Sequence, residues 1–167
     1  MLTIKAIHQD NLESIYHFLS ELMSENGFEN TYYGVSFEDF KNKYFIDLLR
    51  SSKGIENREG FVPNTYYFLW YQDQIIGLFK VRHFLNDKLR HGSGHIGYAI
   101  HPKFRGRGFA TEGLKLIIKE IKDWIVEDEL YFSCNKDNPA SLKAQLASGA
   151  YIHHEDEKHY YARIKIR

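Results

Sequence analysis

The chain has 167 residues, long enough to bury a core within one domain. Its 22 lysines and arginines balance 22 aspartates and glutamates, so no global charge recruits nucleic acid or an acidic membrane. No apolar stretch could span a bilayer, the first residues lack the pattern of a signal peptide, and the single cysteine, Cys134, closes no internal disulfide. The chain reads as cytoplasmic.

Leu2–His8 is predicted as a first strand. Asp10–Glu13 reads as a capping box, and Leu12, Ile15, Tyr16, Leu19, Leu22 and Met23 follow at helical spacing, with Gly27 as the stop. Ser36–Asp39 opens a second helix with Phe37, Phe40, Tyr44, Leu48 and Leu49 on one face. The segment from Ser51 to Asn64 reads as a loop. Tyr66–Tyr71 and Ile75–Phe84 are aromatic and β-branched runs around Gln72-Asp73-Gln74, the pattern of a hairpin. Asn86–Gly94 reads as a polar connection and His95–Ile100 as the next strand.

Leu114, Ile117, Ile118, Ile121 and Ile125 mark the clearest helix, followed by a short strand at Leu130–Cys134. Asn138-Pro139 begins a further helix that Gly149 closes, and Tyr151–His154 with His159–Ile166 predict a closing antiparallel pair. The order β-α-α-β-β-β-α-β-α-β-β, with no repeat or composition shift, predicts one mixed α/β (α+β) domain over residues 1–167.

The most informative stretch is IGYAIHPKFRGRGFA, residues 96–110. A strand stops at Pro102, two glycines follow within Arg105–Ala110, and a helix begins. That order builds an anion site from main-chain N–H groups at a helix N-terminus. Gly106 and Gly108 let a phosphate approach the backbone, and Arg105 and Arg107 add guanidinium donors. The turn follows the fourth strand rather than the first, which disfavours a dinucleotide-binding Rossmann unit, and no GKS or GKT follows the glycines.

This region resembles the GNAT superfamily of acyl-CoA-dependent N-acetyltransferases, whose signature Arg/Gln-x-x-Gly-x-Gly/Ala stands here as Arg105, Gly108 and Ala110. The likeness extends through Asn138, Ser141 and Gly149. HIGYAIHP with RGRGFATE is further similar to a bacterial subgroup of predicted acetyltransferases. The resemblance implies a mostly antiparallel sheet splayed between its fourth and fifth strands. It implies acetyl-CoA as acyl donor, with the pyrophosphate on Arg105, Gly106, Arg107, Gly108, Phe109 and Ala110. The pantetheine arm would lie along Tyr98, Ala99 and Ile100, touched by Asn138, which reads equally as a simple N-cap, and by Ser141, whose alternative is a plain place on the first helical turn. The acceptor would be a primary amine on a small molecule or a protein, and a homodimer is admissible.

Many members carry a tyrosine acid four residues before the closing glycine; Gln145 stands there and cannot titrate. His95, where relatives often carry a glutamate, is the candidate base that would take a proton from the attacking amine; the alternative is a strand-end histidine with no chemical role. His153, His154 and His159 do not read as a metal site, because neighbours on a strand point to opposite faces. Cys134 reads as a buried strand thiol. A non-catalytic acyl-CoA sensor and a plain interaction domain are the alternatives to an enzyme.

Overall fold

The strands divide between two sheets. In the computed structural model, which describes residues 1–167, β1 (Leu2–Ala6), β2 (Asn64–Tyr71), β3 (Gln74–Arg82) and β4 (Ile96–Ile100) form an antiparallel sheet in that order. β5 (Glu129–Asn135), β6 (Tyr151–Glu155) and β7 (His159–Lys165) form the second, in the order β5-β7-β6. The mixed, mostly antiparallel α/β architecture and the break between the fourth and fifth strands agree with expectation.

β2 and β3 are joined by a tight turn in which Gln72 and Asp73 adopt φ of 50° and 61°, the left-handed pair that matches strand twist. Both faces of this hairpin are covered, which is why its strands read as continuous apolar runs. Tyr67, Leu69, Phe79 and Val81 pack towards α5 (Phe109–Ile121) with Leu114, Ile117 and Ile121. Tyr66, Phe68 and Leu78 pack against Ile15, Leu19 and Phe18 of α1 (Leu12–Glu21) and against Phe40, Phe45 and Leu48. Phe40 lies on a π-helical turn (Phe40–Tyr44), and Phe45 and Leu48 lie on α3 (Phe45–Ser52); both run on from the short α2 (Phe37–Asp39). Ser36 caps α2, accepting from the Asp39 N–H at 3.1 Å.

Four local expectations are corrected. α1 stops at Glu21, not Gly27, because Asn30 folds back and donates to the carbonyls of Leu19 at 2.7 Å and Leu22 at 2.6 Å. No capping box forms at its start; His8 instead accepts from the Asp10 N–H ahead of a short 3-10 turn. The polar connection contains a helical turn, α4 (Asp87–Arg90), capped by Asn86 on the Leu89 N–H at 2.9 Å. A register shift between Ile152 and His154 brings the His153 and His154 Nδ1 atoms within 2.8 Å, so these neighbours do not diverge.

β4 and β5 touch only at their start. Gly94 bridges Phe132, and the His95 N–H donates to the Tyr131 carbonyl at 2.8 Å. Gly94 is obligatory here: its φ is +70°, and a Cβ would collide with the Tyr131 carbonyl. Past His95 no ladder joins the two strands, and a cleft opens between them.

Candidate functional site

The cleft has a volume of about 1070 Å³ and runs from the start of α5 to the face of β3. At one end lies the turn Arg105–Gly108. Gly106 and Gly108 take φ of +75° and +79°, and Gly108 is the N-cap of α5. No main-chain N–H from Gly106 to Thr111 has an acceptor within the protein. Nothing lies within 4 Å of where a Cβ would stand on either glycine. Converging donors at a helix start with open space above them suit the oxygens of a pyrophosphate.

Arg105 fastens this turn. Its Nε donates to the Ile100 carbonyl at 2.9 Å, and its guanidinium pairs with Glu25. Arg107 departs from expectation. Its guanidinium stacks on Phe109 at 4.8 Å and on Tyr71 at 5.6 Å, and it does not line the cleft. Phe109 and Ala110 do line it.

The wall of the cleft is the open edge of β4. The bonds from Arg82 N–H to the His95 carbonyl and from His101 N–H to the Ile76 carbonyl fix the pairing phase of β3 with β4. By alternation, Gly97 and Ala99 turn their main-chain groups to β3, whereas Tyr98 and Ile100 turn theirs to the cleft. Ala99 is therefore corrected: its amide serves the sheet, and only its methyl lines the cavity.

Across the cleft stands α6 (Pro139–Ala147), capped by Asn138, which accepts from the Ser141 N–H at 3.3 Å. The Tyr98 side chain crosses to it. Its hydroxyl lies 2.7 Å from Ser141 Oγ and 3.1 Å from the Ser141 carbonyl, while its ring stacks on Phe79. Gln145 is fully buried behind them; its Nε2 donates to both the Tyr98 and Ser141 hydroxyls at 3.4 Å, and its Oε1 has no partner. Burial raises the Tyr98 phenol above its ordinary value, so it stays protonated at neutral pH. The buried Cys134 thiol at the end of β5 is raised for the same reason and is a poor nucleophile.

His95 does not fit the role of base. It is fully buried, and both ring nitrogens are engaged: Nδ1 accepts from the Tyr131 N–H at 2.9 Å, so Nε2 carries the proton and faces Glu127 Oε1 at 2.9 Å. Burial lowers its pKa, partly offset by Glu127, and no lone pair remains for an amine's proton. His95 pins β4 to β5 where the cleft closes. An isolated histidine at a strand start carries no sign of this, because Glu127 lies 32 residues away.

Of the far end of the cleft only Tyr66 is expected from the sequence, as part of the aromatic run Thr65–Tyr71 that could line a pocket on one face. Phe28, Tyr32, Arg58, Tyr66, Lys80 and Arg82 line that end. They come from the α1–α2 connection, the long loop and the central hairpin, and no local motif links them. No group of three or more His, Cys, Asp or Glu side chains is arranged to hold a metal ion, and no helix is long and apolar enough to cross a membrane.

The family model described as an acetyltransferase (GNAT) domain matches residues 2–150. No curated protein matches the sequence significantly. Among solved structures, the chain is similar to the ribosomal-protein-S5-alanine acetyltransferase of Vibrio fischeri, with a TM-score of 0.71, 14% identity and coverage of 98% of this chain and 92% of that one. It is similar to a ribosomal L7/L12 alpha-N-protein acetyltransferase bound to coenzyme A, at TM-score 0.71, 15% identity and coverage of 99% and 94%. A third, AAC(6')-Ib in complex with paromomycin and acetyl-CoA, gives TM-score 0.65, 11% identity and coverage of 98% and 93%. At these identities the likeness is one of fold.

Proposed function

The chain belongs to the GNAT acetyltransferase family, and on that premise we propose that it transfers acetyl from acetyl-CoA to a primary amine by direct attack on the thioester. One observation carries the reading: the unpaired N–H groups from Gly106 to Thr111 sit at the mouth of a cleft whose wall is an open strand edge. Structural neighbours bound to coenzyme A or acetyl-CoA support the choice of donor, and the amines named with them support the class of acceptor. The whole chain acts as one catalytic domain of the cytoplasm.

The geometry supports the following roles. The amides of Gly106–Thr111 hold the pyrophosphate, with Arg105 bracing the turn. The Tyr98 and Ile100 main-chain groups face the pantetheine arm, and the Tyr98 N–H is placed to polarise the thioester carbonyl, where negative charge develops during attack. The Tyr98 and Ser141 hydroxyls, held by Gln145, supply protonated donors to the departing thiolate. A thiol with a pKa near ~8.5 leaves readily, so this help is modest. With His95 engaged in the sheet, water takes the amine's proton.

Thiol release from acetyl-CoA over a panel of amines tests the reaction, and calorimetry with CoA tests the site. Gln145 at the usual acid position favours one second reading, an acyl-CoA sensor. That reading requires CoA binding with no turnover on any amine.

A further inference from the structure

The chain has zero net charge, yet the acceptor end of the cleft gathers Arg58, Lys80 and Arg82. Lys80 and Arg82 stand two residues apart on β3 and so share a face. Lys80 lies in register between Tyr66 on β2 and Gly97 on β4. Gly97 has no side chain to screen it from the open edge of β4, where the Tyr98 main chain faces the donor.

The compensating charges are few. The Arg82 guanidinium donates to the Gly94 carbonyl at 3.1 Å and meets no carboxylate. The Lys80 ammonium lies 6.0 Å from the Tyr66 ring centroid, with no hydrogen-bond or ion-pair partner. Arg58, at the rim, takes Glu56 at 2.9 Å and stacks on Phe61. Glu25 is taken by Arg105, which leaves the exposed Glu29 as the remaining carboxylate of the lining. Half-buried cations side by side without counter-charge are unfavourable unless an anion completes them. Burial, then Arg82 and Arg58, hold the Lys80 ammonium down to about 8, the direction that this crowding of cations implies.

We infer that this end of the cleft is an anion site in which Lys80 and Arg82, with Arg58 at the rim, hold a carboxylate or phosphate on the acceptor, so that the substrate is an amine that also carries negative charge. The inference rests on the transferase reading and narrows it. The guanidinium forks suit planar carboxylate or phosphate oxygens, and the walls of Phe28, Tyr32 and Tyr66 accept the apolar body between the two charged ends. A polycationic amine would meet like charge at this end of the cleft.

The experiment measures kcat/KM with acetyl-CoA for matched amines: β-alanine against β-alaninamide for a carboxylate, O-phosphoethanolamine against ethanolamine for a phosphate, and spermidine as the polycation. The expected result is a preference of about 10-fold or more for one or both anionic members, carried in KM, because charge-assisted hydrogen bonds have that strength. In Lys80→Met and Arg58→Gln the preference should collapse while CoA affinity stays within about twofold. Equal use of the neutral partners, better use of spermidine, or a preference that survives both substitutions would overturn the inference. Should CoA bind and no amine turn over, the transferase reading fails by itself. The anion site is then decided by titrating β-alanine and O-phosphoethanolamine into the protein–CoA complex, followed by ligand NMR. Binding lost in Lys80→Met upholds it, and no binding to the unsubstituted protein rejects it.

Discussion

The two ends of the cleft are built from different material. At the α5 end the groups proposed to bind are main-chain N–H donors, contiguous from Gly106 to Thr111 and without acceptors in the protein. At the β3 end they are side chains, drawn from the segment after α1, the loop before β2, and the hairpin. A main-chain site tolerates most changes of side chain and fails when bulk is added over the amides. A side-chain site fails when one head group is removed and survives changes around it. The two ends should therefore break in opposite ways.

The largest effect belongs to the main-chain end. Gly108→Val places a branched side chain in the open space above the amides and forces a β-branched residue into φ of +79°. CoA affinity measured by calorimetry should fall by about 100-fold or more, since it removes several charge-assisted hydrogen bonds at once. Arg107→Ala, in the same turn, should weaken CoA binding by no more than about threefold, because that guanidinium stacks on Phe109 and Tyr71 and does not itself line the cleft. A large loss from Arg107→Ala would mean that the turn binds with side chains and that the contrast between the ends is wrong.

Tyr98 joins main-chain and side-chain roles in one residue, and substitution separates them. Tyr98→Phe keeps the amide that faces the donor and removes the hydroxyl beside Ser141. We expect kcat to fall by about 10-fold to 100-fold, at or below the lower end for a positioned proton donor because a thiolate leaves readily, with CoA affinity unchanged. Gln145→Ala should give a smaller loss in the same direction, since it only holds that hydroxyl. Unchanged kcat in Tyr98→Phe would assign the leaving thiolate to water.

The contrast between the ends also explains what could be read from the sequence. The glycine turn, the strand before it and the helix after it are contiguous, and their signals are local: a proline stop, two glycines, and apolar residues at helical spacing from Leu114 to Ile121. The fold order was legible for the same reason. Arg58, Lys80 and Arg82 gain meaning only when Gly97 and Tyr66 are brought beside Lys80 by strand register, which no local pattern encodes. Asn30, which ends α1 by reaching back to Leu19 and Leu22, and Glu127, which occupies His95, are hidden in the same way. Arg107 failed in the opposite sense. Its place in the motif was clear, but Phe104, Phe109 and Tyr71 drew it away.

His95 lies outside both ends and supplies a control. His95→Ala should leave kcat of the folded protein near normal and cost about 2–4 kcal/mol of stability, from lost packing and an orphaned Tyr131 N–H. Its folded pKa is depressed, so the unfolded chain takes up the proton first. The stabilising contribution is complete above the ordinary histidine value near ~6.5 and is lost as pH falls below it. Denaturant unfolding between mildly acidic and neutral pH should show that loss in the unsubstituted protein and a flatter profile in His95→Ala. A kcat collapse in a fully folded variant would restore His95 to the chemistry.

The smallest effect sharpens the side-chain end. Burial and the neighbouring Arg82 and Arg58 hold Lys80 down to about 8, while the carboxylates of Glu56 and Glu29 act weakly the other way. The tyrosines facing it, Tyr66 and Tyr32, are raised by burial, so Lys80 is the group that changes charge in mildly alkaline solution. An unfolded lysine, near ~10.4, binds its proton more tightly, so folding opposes protonation and stability rises with pH between those two values. Replacing Lys80 with methionine removes the penalty altogether. Lys80→Met should be more stable than the parent by about 1 kcal/mol near neutral pH, read as a higher Tm, while its KM for an anionic amine rises. Lys80→Arg keeps the charge at all accessible pH, and its KM should stay flat where the parent's rises through about 8. Stability gained together with affinity lost is the signature of a residue kept for its ligand. A Lys80→Met protein that is less stable, with KM unaltered, would mark Lys80 as a cover for the Tyr66 ring and nothing more.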